Sequence, residues 1–239
     1  MDCPKCNYQV DGKYCSNCGR PVELPRINGQ YIQQEIGSVL SLQKGIFLTI
    51  WELLLRPGKN VRSFLREDRN RLMKPILFVI ICSVVYSIAQ QLLHFEDEYV
   101  NSIPEVKDSV ILNIFEWIQR NYGYANIIIA FFIAFWTKLL FRKIGYNFFE
   151  ILVLLFFVIG VGMLIYLIFG ITESITNLKL FYIGGLIGVI YTAWAVVQFF
   201  GANKIVNYMK VILAYFLGIL SFSISIVVLG TIIEIIMKQ

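Results

Sequence analysis

The 239-residue chain reads as an all-α integral membrane protein, with about five transmembrane helices preceded by a small zinc ribbon and amphipathic interfacial helices. Three observations support this. Hydrophobic residues make up 57% of the chain, charged residues only 15%, and the mean hydropathy is +0.67. An average soluble domain is about 45–50% apolar, and one compact core of this size cannot hide the excess. Long apolar stretches recur after Pro75, and four of the five cysteines form two Cys-x-x-Cys pairs near the amino terminus.

The first element, residues 1–19, is the predicted zinc ribbon. Cys3, Cys6, Cys15 and Cys18 make two knuckles separated by eight residues, and four thiolates suit the closed tetrahedral shell of a structural Zn2+ site. Asp11-Gly12 between them is a two-residue hairpin signal that brings the knuckles together. Lys5, Lys13 and Arg20 offset the net negative charge of a four-thiolate zinc centre. A four-cysteine shell leaves no open coordination position, so the expected metal is structural rather than catalytic. With so few apolar residues, this module is expected to fold on the metal. Cys82, in an apolar stretch, reads as a packing residue.

Residues 20–37 hold Pro21, Pro25, Gly29 and Gly37 and read as a flexible linker. Residues 38–74 read as cytoplasmic amphipathic basic helices. The first covers Ser38 to Arg56, with Val39, Leu42, Ile46, Ile50 and Leu53 at helical spacing and Ser41, Glu52 and Arg56 opposite. Arg56-Pro57-Gly58 is expected to stop it, Gly58 supplying a left-handed turn. A second helix is predicted from Asn60, as N-cap, to about Leu72. Its Arg62, Arg66 and Arg69 share one face and are expected to contact the head groups of anionic lipids.

Residues 75–239 are read as a five-helix transmembrane domain, with spans at about 75–93, 122–141, 148–171, 180–202 and 211–236, each long enough to cross about 30 Å of hydrocarbon. No signal peptide is expected, because the first 74 residues contain no long apolar run. Seventeen Lys and Arg fall on the side of the amino terminus and four (Lys107, Arg120, Lys179 and Lys238) on the other. The positive-inside rule then places the amino terminus in the cytoplasm and the carboxyl terminus outside. Gly184, Gly185 and Gly188, with Gly160 and Gly162, suit close helix packing, and Ser221, Ser223 and Ser225 suit bonds between helices. Lys138 and Glu150, flanking the turn between the second and third spans, are candidates for an intramembrane ion pair. A short surface helix after Pro104 is expected in the outer loop.

The knuckles, Leu53-Leu54-Leu55-Arg56-Pro57-Gly58-Lys59, Arg69-Asn70-Arg71-Leu72-Met73-Lys74-Pro75 and Tyr146-Asn147-Phe148-Phe149-Glu150 together resemble a bacterial membrane family catalogued as domain of unknown function three-six-six-seven. The resemblance implies an amino-terminal zinc ribbon and several membrane helices, and no activity. The family pattern implies a Glu-His pair at the helix matching residue 150. Here Ile151 follows Glu150, so no role resting on that histidine is carried over.

The chain has one histidine, His94, and lacks G-x-S-x-G, H-E-x-x-H and Walker motifs. The expected function is therefore non-enzymatic: an inner-membrane adaptor or scaffold whose ribbon binds a cytoplasmic protein partner. The alternative is a small channel or a lipid or solute transporter gated through the zinc module. The expected partners are the lipid bilayer, anionic lipids and a protein. Nucleic acid is not expected, because the knuckles lack a basic and aromatic face.

Overall fold

The structure, a computed structural model, describes residues 8–9, 16–17, 45–69, 71–93, 95, 114, 118, 122–176, 178–201 and 204–237. Two compact units divide the chain, residues 1–43 and 44–239. In the first, the described Ser16 and Asn17 form a turn. The zinc ligands predicted at Cys3, Cys6, Cys15 and Cys18, the linker and His94 lie outside the described residues, as does nearly all of the predicted outer-loop helix.

The second unit is all-helical among its described residues. It comprises α1 (Ile46–Leu55), α2 (Pro57–Arg66), α3 (Pro75–Leu93), α4 (Tyr122–Leu140), α5 (Phe148–Thr176), α6 (Phe181–Phe200) and α7 (Ile205–Met237), with a 3-10 turn at Arg142–Ile144. Four of these, α3, α5, α6 and α7, are long and apolar enough to cross a membrane. Helix α4 is apolar over the shorter stretch Tyr124–Leu140 and packs mainly against α7 and α5.

The predicted spans coincide with α3 to α7, with shifted ends. Helix α5 runs on to Thr176 because the polar residues beyond 171 support it: the hydroxyls of Thr172 and Thr176 donate to the carbonyls of Ile168 and Thr172, each at 2.7 Å, and Ser174 to that of Gly170 at 3.1 Å. Gly201, with φ of 66°, ends α6 in the left-handed conformation. The connection after it is short, so α7 starts at Ile205 rather than 211. Gly145, with φ of 84°, closes the turn between α4 and α5.

The hairpin before the spans departs further from expectation. Pro57 does not merely end α1; it is the first residue of α2, where its missing N–H and fixed φ are tolerated. Gly58 is helical and not left-handed. Asn60 lies inside α2 rather than capping it, and its side-chain amide donates 2.7 Å back to the carbonyl of Glu52, at the end of α1. Helix α2 stops at Arg66, where the backbone N–H groups of Glu67 and Asp68 both turn back to the carbonyl of Ser63. Leu72 and Met73 are buried without being helical. A hydrophobic residue at the right spacing was thus core, but not helix.

One core runs from the hairpin into the bundle. Leu53, Val61, Phe78, Phe157 and Phe199 are wholly buried. Phe64 of α2 meets Phe157 of α5 edge-on at 5.4 Å, and Phe78 of α3 meets the same ring at 5.8 Å. Gly160 of α5 lies directly under the Phe78 ring. Gly184 lies under Phe169 and Gly188 under Tyr166, and Gly218 of α7 faces the backbone of Ile133 of α4. Missing side chains at these points let helices approach closely, as small-residue packing requires. The indole of Trp136 donates 2.8 Å to the Ser221 hydroxyl, joining α4 to α7.

Candidate functional site at the Arg-Pro-Gly hairpin

The ends of α4 and α6, the starts of α3, α5 and α7, and the hairpin α1–α2 meet at one end of the bundle. The hairpin is bonded there through the last turn of α6. The Gly58 N–H donates 2.7 Å to Oε1 of Gln198. A Cβ at Gly58 would overlap the backbone of Gln198 and Phe199, with the Phe199 Cα at 2.8 Å, so the contact requires glycine for proximity rather than for backbone conformation. One turn later, Nη1 of Arg62 donates to the carbonyls of Gln198 at 2.5 Å and Phe199 at 2.8 Å. The last carbonyls of a helix lack intrahelical partners and carry partial negative charge, which a guanidinium satisfies well. Deeper in the bundle, the phenol of Tyr191 donates 3.1 Å to the carbonyl of Leu53 in α1.

Arg62 therefore serves α6, and the expected role in head-group contact does not describe this bonding. Arg66 is exposed, its Cζ lies 5.4 Å from the centre of the Tyr146 ring, and its Nη2 donates 3.3 Å to the Tyr146 hydroxyl. Arg69 is exposed just past α2. The three arginines do not act as one face: the first is tied to α6, the second to the α4–α5 turn, and the third reaches outward.

Lys138 and Glu150 do not form the expected ion pair. Lys138 Nζ donates to the backbone carbonyl of Tyr146. Glu150 Oε2 instead accepts from the Asn147 N–H at 2.8 Å, while its own N–H donates 2.9 Å to Asn147 Oδ1. That reciprocal exchange is a capping box, with Asn147 as N-cap. Each charge meets nearby backbone at a helix terminus. Tyr146 is the common neighbour, its ring 4.4 Å from that of Phe199, while Phe141 stacks on Phe200 at 4.4 Å and Lys210 Nζ lies 5.8 Å from the Phe141 ring.

Glu52 and Arg71 form an ion pair at 2.5 Å. Lys59, Arg69, Lys74, Arg142, Lys143 and Lys204 are exposed, as are the acidic Glu67 and Asp68. Gln198 and Tyr146 are the partners that residue patterns missed. The Asn147-x-x-Glu150 spacing was legible as a capping box, but the charge of Glu150 drew it to Lys138 instead.

A small cavity of about 30 Å3 lies between the spans. Tyr86, Asn126, Gly162, Tyr166, Thr192 and Tyr215 are among its lining residues, and a Cβ at Gly162 would meet nothing within 4 Å. Phenols, an amide and a hydroxyl around a space this size suit one or two water molecules. Among the described residues no group of three or more His, Cys, Asp or Glu side chains comes together.

Neither the curated proteins nor the solved structures yielded a match to the chain. Residues 43–87, which contain the whole hairpin and the first two thirds of α3, match the model of the family described as Protein of unknown function (DUF3667).

Proposed function

We propose that this protein is a non-enzymatic scaffold of the bacterial inner membrane, crossing it five times, that presents a cytoplasmic zinc ribbon to a protein partner. The observation that carries this reading is the bonding of the Arg-Pro-Gly hairpin to the end of α6 through Gly58 and Arg62. The chain that follows the cysteine knuckles is thereby tied to the spans through specific hydrogen bonds.

Helix α4 is the fifth crossing. It starts at the end opposite the hairpin, packs along α7 and α5, and closes the alternation of helix directions. The exposed cations around the hairpin belong in the cytoplasm by the positive-inside rule, which leaves the end of α7 outside. Cys3, Cys6, Cys15 and Cys18 hold Zn2+, a donor set that fits a structural site and supplies folding energy without chemistry. Arg69, with Lys59, contacts anionic head groups.

The test uses the full chain and a Cys3→Ser/Cys6→Ser variant in native membranes. One zinc per chain is expected for the first and loss of zinc for the second. Both should insert in the membrane, while a cytoplasmic protein should copurify only with the first. Identical partners with and without zinc would remove the adaptor role, and solute flux through reconstituted vesicles would replace it with transport.

A further inference from the structure

Helix α1 was expected to be amphipathic, yet over Ile46–Leu55 its only charged residue is Glu52. One face packs on the bundle through Thr49 and Leu53, both wholly buried. The opposite face consists of Phe47, Leu48, Trp51, Leu54 and Leu55, with Phe47 79% and Trp51 63% exposed. A short helix that is apolar all round needs an apolar surrounding on every side.

The depth of α1 follows from the helices it touches. Helix α6 has 20 residues, about 30 Å of axis, which matches the hydrocarbon layer. Its end bonds Gly58 and Arg62, whereas Leu53 bonds Tyr191, nine residues before that end and about 13 Å down the axis. Helical side chains lean toward the helix amino terminus, which carries the Tyr191 hydroxyl further from the α6 end. Leu53 therefore lies far inside the layer that α6 crosses.

Helix α3 gives the same answer independently. Phe78 lies against Phe157 and Gly160, and the Leu93 carbonyl accepts from Ser174 at 3.5 Å, so a residue of α3 is level with the α5 residue about 80 positions later. On that register Pro75 is level with residues near 155, while α5 begins at Phe148. Helix α3 thus starts about 10 Å below the head of α5. Thr49 of α1 accepts the Met73 N–H at 3.0 Å, which places it at that same sunken start. The hairpin occupies the space above α3.

Several of its polar groups find partners within the protein, while Glu52 Oε2 is buried without a hydrogen bond. Arg71 neutralises Glu52. The Thr49 hydroxyl donates 2.5 Å to the Gly45 carbonyl. At the carboxyl end, the carbonyls of Glu52 and Leu53 are taken by Asn60 and Tyr191. Backbone groups in hydrocarbon must be satisfied within the protein.

We infer that α1 is embedded in the hydrocarbon layer, its outer face of Phe47, Leu48, Trp51, Leu54 and Leu55 covered by phospholipid acyl chains. The inference rests on the membrane-spanning reading above. It makes α1–α2 a wedge that completes the bundle on the cytoplasmic side, with the turn at Arg56 near the head groups.

The test reconstitutes the full chain and Trp51→Phe in phosphatidylcholine–phosphatidylglycerol vesicles whose acyl chains carry bromine, a short-range quencher of tryptophan, near the carbonyl end or near the middle. The difference between the two emissions is the Trp51 signal. It should be blue-shifted, lose most of its intensity to bromine in the acyl chains at one or both depths, and resist aqueous acrylamide. Phe47→Trp in the Trp51→Phe background repeats the measurement one turn earlier on the same face. A Trp51 signal quenched by acrylamide means water covers the face, and one quenched by neither agent means protein covers it. Either result overturns the inference. If the membrane reading itself fails, the tryptophans remaining in Trp51→Phe, including Trp136 and Trp194 in the spans, will also ignore bromolipid.

Discussion

The hairpin end of the bundle and the middle of the bundle are held together differently. At the hairpin end, helix termini are fixed by directed bonds: Gly58 to Gln198, Arg62 to two carbonyls, Lys138 to Tyr146, and the Asn147–Glu150 cap within α5. In the middle, contact is mostly ring against glycine, as at Phe78 over Gly160 and Tyr166 beside Gly188. Helix ends leave carbonyls and N–H groups without partners, and there polar side chains fix position and direction. Helix middles have few such groups to offer, the Trp136–Ser221 bond being one exception, so shape chiefly sets how close two helices come. Polar substitutions should therefore be felt at the hairpin, and volume changes should be felt wherever backbones touch, including the one place where both apply.

That place is Gly58, and its substitution should have the largest effect. Gly58→Val drives a branched side chain into the α6 backbone, which cannot move aside as a flexible side chain does. A loss of about 3 kcal/mol or more is expected, at the upper end for overpacking. Gly162→Ala is the matched control, because open space surrounds that position; its helix-propensity gain is about 1 kcal/mol at most. Thermal unfolding in detergent should show a large drop for the first and no drop for the second. Equal drops would mean that the Gly58 contact with α6 is not formed.

Arg62 sharpens the comparison from the polar side. Arg62→Met keeps much of the aliphatic stem but removes the donor to the last carbonyls of α6. A charge-assisted bond contributes about 1.5–3 kcal/mol, so a loss near that range is expected. Arg62→Lys should recover part of it, since an ammonium supplies charge but not the planar fork. If Arg62 instead held lipid head groups, Arg62→Met would change vesicle binding with acidic lipid content and leave stability in neutral detergent unchanged.

The helices themselves were legible because each span is a long apolar run and chain polarity changes sharply at its ends. What those runs could not show was length at polar termini. The hydroxyls that extend α5 to Thr176 satisfy carbonyls one turn back, a local effect that looks like a loop in a hydropathy profile. The hairpin partners were illegible for another reason. Gly58 and Gln198 are 140 positions apart, and no periodicity within either segment points to the other. The Arg-Pro-Gly motif was correctly read as special, but for its turn rather than for the close approach of Gly58 to α6. Likewise Leu72 obeys the helical spacing of α2 yet is buried from an irregular segment, because burial depends on the neighbours that a residue meets and not on the path that brings it there.

The smallest expected effect concerns Lys138 and Glu150, where sequence proximity of opposite charges suggested a bond across the turn. Each has a closer use. Lys138 serves the Tyr146 carbonyl beside the turn that Gly145 closes, and Glu150 completes the cap on α5. Lys138→Met and Glu150→Ala should each cost about 1 kcal/mol, through a lost hydrogen bond and a lost cap respectively. Since the two side chains share no bond, the double variant should equal the sum of the single variants to within about 0.5 kcal/mol. Unfolding of the four proteins in one detergent measures that coupling directly. A favourable coupling well above this, lost at high salt, would restore the ion pair and would mean that charges in the α4–α5 turn choose each other over the helix ends beside them.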